Sequence, residues 1–122
     1  MTEDYVSFET AKLLKKLGFN EECVGAYSET NHTIAKFESN VKNSEVGPLM
    51  YSTPTLQMVM NWLREVHHIH IGINPISGKG YNATIYDVAD FDDYGIIFDT
   101  ESFFHVEEAC EAAIKYCLEN LI

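Results

Sequence analysis

Basic residues are scarce in this chain. Eight lysines and arginines stand against nineteen aspartates and glutamates, for a formal net charge of −11. Such a chain is repelled by polyanions, which argues against nucleic acid and anionic membranes as partners. Long apolar runs are also missing. Nothing approaches the roughly 20 residues a membrane-spanning helix needs. The opening residues Met1-Thr2-Glu3-Asp4 are acidic, with no apolar stretch after a basic start, so no secretory signal is expected and the expected compartment is the cytoplasm. Cysteine occurs three times, at Cys23, Cys110 and Cys117, with no CxxC spacing. That excludes a disulfide framework and leaves the thiols as small buried apolar groups. There is no GxSxG, P-loop or GxGxxG motif, so no nucleophile elbow or phosphate cradle is written into the chain, and no cofactor is implied.

What is present suits one domain, residues 1–122. The composition is 46% hydrophobic, and a chain of this size buries roughly two thirds of its unfolded surface. Ser7 is a natural N-cap. Phe8, Ala11, Leu14 and Leu17 follow at helical spacing and Gly18 stands where a helix ends, so the spacing predicts a helix over 8–17. Two β-type runs, 24–28 and 33–38, flank the turn-like Glu29-Thr30-Asn31-His32. Residues 39–52 lack a period and read as a surface loop. Thr53-Pro54 reads as a second helix start, with a stripe at Leu56, Val59, Met60, Leu63 and Val66 and Trp62 at its edge. Ile69, Ile71 and Ile73 alternate with His68, His70 and Gly72. Two further strands are expected over 81–88 and 94–98, and an a/d-like stripe from Val106 to Leu121 marks a final helix. The order α-β-β-α-β-β-β-α predicts a two-layer α+β fold, with one mostly antiparallel sheet of about five strands and helices packed on it.

Three segments carry a likeness to a known group. They are Tyr5-Val6-Ser7-Phe8-Glu9-Thr10-Ala11-Lys12-Leu13-Leu14-Lys15-Lys16-Leu17-Gly18-Phe19; Tyr51-Ser52-Thr53-Pro54-Thr55-Leu56-Gln57 with Trp62-Leu63-Arg64-Glu65; and Val106-Glu107-Glu108-Ala109-Cys110-Glu111-Ala112-Ala113. Together they resemble small uncharacterised proteins of Bacteroides-type gut bacteria and their phages. The resemblance implies a phage or mobile-element accessory protein and assigns no residue a role.

Two local patterns point to metal. Residues 90–101 read D-F-D-D-Y-G-I-I-F-D-T-E, in which Asp90, Asp92, Gly95 and Glu101 fit a calcium loop while Tyr94 fails at its fifth position. A strand rather than a helix is expected to enter it. The second pattern is His67-His68-Ile69-His70, in which His68 and His70 are expected on one strand face. A third ligand would come from His67, His105, Asp87 or Glu65. The candidate metal ligands are therefore His68, His70, Asp90, Asp92 and Glu101.

The third feature is a lopsided charge. Between Tyr81 and Ile122 stand ten acids and a single base, Lys115. Small domains without catalytic motifs act mostly by contact. The expectation is a non-enzymatic accessory protein that meets an unidentified, basic protein partner through its acidic surface, with a homodimer as a further possibility. The alternatives are a metal-binding domain, or a small enzyme whose site is assembled only in the fold.

Overall fold

The computed structural model describes residues 4–88 and 95–122. The chain divides into two compact units, one ending at Thr55 and the other beginning at Leu56. The fold is α+β. Among the described residues, two separate three-stranded antiparallel sheets take the place of the single sheet expected.

The first unit opens with α1 (Phe8–Lys16). Ser7 caps it, its Oγ accepting the Thr10 N–H at 3.3 Å. Gly18, at φ +94°, ends it: the Phe19 N–H turns back to the Leu14 carbonyl at 3.0 Å, and the Gly18 N–H bonds that of Lys15. Lys15 and Lys16 lie in the last turn, where cations suit the helix dipole. β1 (Cys23–Ser28) is the central strand, with β2 (Ile34–Val41) on one side and β3 (Met50–Ser52) on the other. The β1–β2 turn falls on the residues expected. Its Ser28 N–H bonds Thr33 O, the His32 N–H bonds Ser28 O, and His32 takes φ +56°.

The loop expected over 39–52 is instead structured. A short 3-10 turn spans Asn43–Glu45, and β3 follows it. Asn43 is the reason. It is buried, its Nδ2 donates to Phe19 O at 2.7 Å, and its Oδ1 accepts the Ser52 N–H at 2.8 Å. Through one side chain it joins the exit of α1 to β3. Sequence periodicity has no mark for such a clasp.

The second unit holds α2 (Leu56–His67), β4 (Ile69–Ile76), β5 (Gly80–Asp87), β6 (Gly95–Asp99) and α3 (Val106–Asn120). The strands form a meander in the order β4-β5-β6. Both helices pack on it, α3 against β4 and β5, and α2 against β4 and α3. Ile69, Ile71, Ala83 and Ile85 are buried, as are Val59 and Leu63 of α2 and Ala113, Ile114 and Cys117 of α3.

Two expectations about α2 are corrected. It begins at Leu56, not at Pro54. The preceding backbone is held in extended pairing: Val6 N–H bonds Pro54 O at 3.1 Å, Thr53 N–H bonds Gly25 O, and Tyr5 bridges Thr55. These bonds occupy the groups a helix start would use. On its apolar face Trp62 is buried, whereas Val66 is 52% exposed. The stripe ends one turn earlier than its apolar residues do.

Pro75 lies inside β4, opposite Tyr81, with the turn confined to residues 77–79. Among the described residues β4 has one neighbour, β5. An edge strand tolerates a residue that cannot donate.

Candidate protein-contact surface

Three of the five metal candidates, His68, His70 and Glu101, fall within the described residues. His68 lies outside β4, in the junction after α2, with φ +57°. It has no strand alternation to share with His70, which corrects the expected common face. His70 is within β4, its ring tilted against Tyr86 at 6.0 Å. His67 ends α2 with its ring edge-on to Trp62 at 4.7 Å. Glu101 is exposed, beyond the end of β6. Asp90 and Asp92 fall outside the described residues, and the segment is entered from β5, a strand, as the sequence suggests. Among the described residues no group of three or more His, Cys, Asp or Glu side chains is gathered to hold a metal ion.

The polar face of the β4-β5-β6 sheet is closed on itself. Asn74 Nδ2 donates to Asn82 Oδ1 at 3.1 Å and to Thr84 Oγ1 at 2.8 Å. Thr84 in turn donates to the Asp99 carboxylate at 2.6 Å. These groups satisfy one another and link β6 to β5 at a partly exposed surface. Asp99 is thereby a structural acid.

The reactive side chains are quenched. Cys23, Cys110 and Cys117 are buried and unbridged. Burial pushes the Cys117 thiol up to about 12 and raises that of Cys23 as well. Neither is a thiolate at neutral pH, so neither is a nucleophile there. In the first unit, a hydrogen bond from Lys12 to Glu29 at 3.0 Å lowers the carboxyl and raises the amine. The Tyr51 ring lies 5.9 Å from Lys12 Nζ and 5.7 Å from Lys15 Nζ. This cluster braces α1 against the sheet.

What remains open is β6 and its surroundings. Among the described residues no strand lies beyond it. Ile96 is 62% exposed, and Ile97 and Phe98 are exposed too. A bulge causes this: Ile85 faces Phe98 and Tyr86 faces Ile96, leaving Ile97 without a register partner. After β6 the backbone stays beside β5. Thr100 N–H bonds Ala83 O at 2.8 Å, and Tyr81 and Phe103 exchange bonds at 2.7 and 2.6 Å. Gly80, at φ +90°, permits that approach, because a Cβ there would strike the Phe103 carbonyl.

A cleft of about 480 Å³ opens beside this strand. Its apolar walls are Phe98, Phe103, Ala112 and Tyr116, and its charged lining is Glu101, Glu119 and Lys115. Phe98 and Tyr116 stack at 3.9 Å, with their planes 6° apart. Lys115 stands 4.0 Å from Glu119, and both side chains are well exposed, so their attraction contributes little. Phe104, 85% exposed, leads into α3. There the Glu108 carboxylate accepts the His105 N–H at 3.2 Å, and Glu107 shares the first turn.

Most of this surface falls outside the residues picked from sequence. The available signal was the strip Ala112, Tyr116, Asn120 on α3, spaced by four, in which a small residue leaves room beside a large ring. Comparison with protein-family models, curated proteins and solved structures finds no match to this chain. Among the described residues no helix is long and apolar enough to cross a membrane.

Proposed function

We propose that the protein works by protein–protein contact, through the surface that β6 and α3 present, and that its partner is basic. One observation carries the reading: Ile96, Ile97 and Phe98 are consecutive exposed apolar residues on a strand that, among the described residues, has no neighbour beyond it. Such apolar side chains on an edge strand are a liability unless a partner covers them. They lie in the most acidic third of the chain, where Lys115 is the lone base. The apolar residues supply contact area, and the acids select for positive charge and speed encounter. An accessory role of the phage or mobile-element kind, implied by the resemblance of the three segments named above to such proteins, fits action by contact.

The test compares proteins retained from a cell extract by the wild type and by two exposed-site variants. Ile96→Lys alters the surface. Ile34→Lys alters an apolar residue on β2 that is also exposed. The expected result is a retained protein lost with Ile96→Lys, kept with Ile34→Lys, and released by salt. Identical retention by all three proteins would remove the β6 surface from the function.

A further inference from the structure

The shape of that surface specifies its occupant more narrowly. Resting on the contact reading above, we infer that the partner is an extended basic segment that adds to the sheet as a strand beside β6 and seats an apolar or aromatic side chain in the cleft against Phe98 and Tyr116.

The backbone supports strand addition. Thr100 turns its N–H inward to Ala83 O. Because amides alternate along a strand, the N–H and C=O of Asp99 point to the open side. An edge of this kind takes an extended peptide through main-chain hydrogen bonds, with side-chain pockets setting specificity. The cleft supplies such a pocket, about 480 Å³ in volume and walled by Phe98, Phe103, Ala112 and Tyr116. That suffices for one large side chain.

Charge chooses between a second copy and a foreign strand. A copy carries its own −11 and would set the acids of its β6 and α3 against those here. Acids on an edge strand guard against self-pairing. A strand carrying lysine or arginine meets Glu101 and Glu119 in the cleft lining instead, with Lys115 the one opposing charge there. The same features that discourage a homodimer attract a basic strand.

The experiment uses the full chain and synthetic peptides. Lys-Val-Lys-Phe-Lys-Val-Lys is the probe. A second peptide replaces each Lys with Glu, and a third keeps the basic sequence with alternate amides N-methylated. Binding is followed by fluorescence anisotropy, and amide shifts of β6 are followed by NMR. The basic peptide should bind, shift the Asp99 and Glu101 amides, and weaken with added salt. N-methylation removes main-chain hydrogen bonds, so binding should fall about tenfold or more. The acidic peptide should not bind. Equal binding of the methylated and unmethylated basic peptides would overturn strand addition while leaving an acidic contact surface intact. Failure of the basic peptide to bind, or shifts confined to residues outside β6 and α3, would overturn both. A dimer in sedimentation equilibrium that dissociates on Ile96→Lys would name a second copy as the occupant and overturn the basic strand.

Discussion

Replacing Asn43 with alanine should cost the first unit far more than deletion of one surface amide would suggest. The side chain donates to Phe19 O at 2.7 Å and accepts from Ser52 N–H at 2.8 Å. Both Phe19 and Ser52 are about 1% exposed, so water does not readily reach the groups left behind. Each orphaned buried group costs roughly 1–3 kcal/mol, which gives about 2–4 kcal/mol for the pair once some relaxation is allowed. At about 1.4 kcal/mol per factor of ten, protection of the β1 and β3 amides from hydrogen exchange should fall between roughly thirtyfold and a thousandfold. Exchange measured by NMR is the appropriate assay, because Trp62 lies in the second unit and its fluorescence would report the wrong half. The α3 amides serve as the internal reference and should change least. Asn43→Asp adds a diagnostic: its carboxylate still accepts from Ser52 but cannot donate to Phe19, so acidification should recover part of the loss. A loss of protection below about threefold in Asn43→Ala would refute the reasoning, because it would mean that the two backbone groups find other partners at no cost.

Three further outcomes are expected. Gly80→Ala forces a side chain onto a φ of +90° and into the Phe103 carbonyl, whereas Gly78→Ala, at φ +75°, meets open space. Both carry backbone strain of roughly 1–3 kcal/mol, but in urea unfolding only Gly80→Ala should also lose the Tyr81–Phe103 pairing and show the larger drop. A thiol reagent at mildly alkaline pH should leave the native protein untouched and label all three cysteines after unfolding, since each is buried and Cys117 is pushed up to about 12; rapid native labelling would contradict that burial. The Lys12–Glu29 pair should leave a pH signature. Glu29 is held below its ordinary value of 4.5 by the hydrogen bond from Lys12, so its contribution is present above 4.5 and lost as pH falls through the lowered folded value. Lys12 is raised above 10.5 by the same bond, so its share is present below 10.5 and lost as pH rises through the raised value. Glu29→Gln should flatten both limbs of a melting-temperature profile, and unchanged limbs would dissociate the pair from stability.

The elements that sequence foretells are those whose cause is local. Ser7, Gly18 and the apolar stripe between them fix α1 without help from elsewhere. The stripe of α3 does the same, and the alternation of Ile69, Ile71 and Ile73 fixes β4. Where distant partners decide, the sequence is silent or misleading. Thr53-Pro54 has the chemistry of a helix start, yet Val6 and Gly25 claim its neighbouring backbone groups first. Residues 39–52 look aperiodic because Asn43 organises them through bonds nine and twenty-four residues away. β3, which completes the first sheet, is only three residues long, too short to show a period. At the candidate site the acidity was legible, but its apolar half was not. Ile96, Ile97 and Phe98 look like an ordinary buried strand until the meander places them at an edge, where a bulge leaves Ile97 without a register partner. His68 and His70 show the opposite failure, a spacing that means something only if both residues belong to the strand.

The pairing of Tyr5 with Thr55 closes the first unit into a ring in which entry and exit of the chain are neighbours. Between them lie α1 and all three strands of its sheet. A segment whose ends meet can be lifted out, joined to itself, or opened elsewhere without redrawing its interior. The β1–β2 hairpin, whose tip at Thr30 and Asn31 is exposed, is the natural place to cut. Adjacent ends are the geometry that circular permutation of the first unit would need.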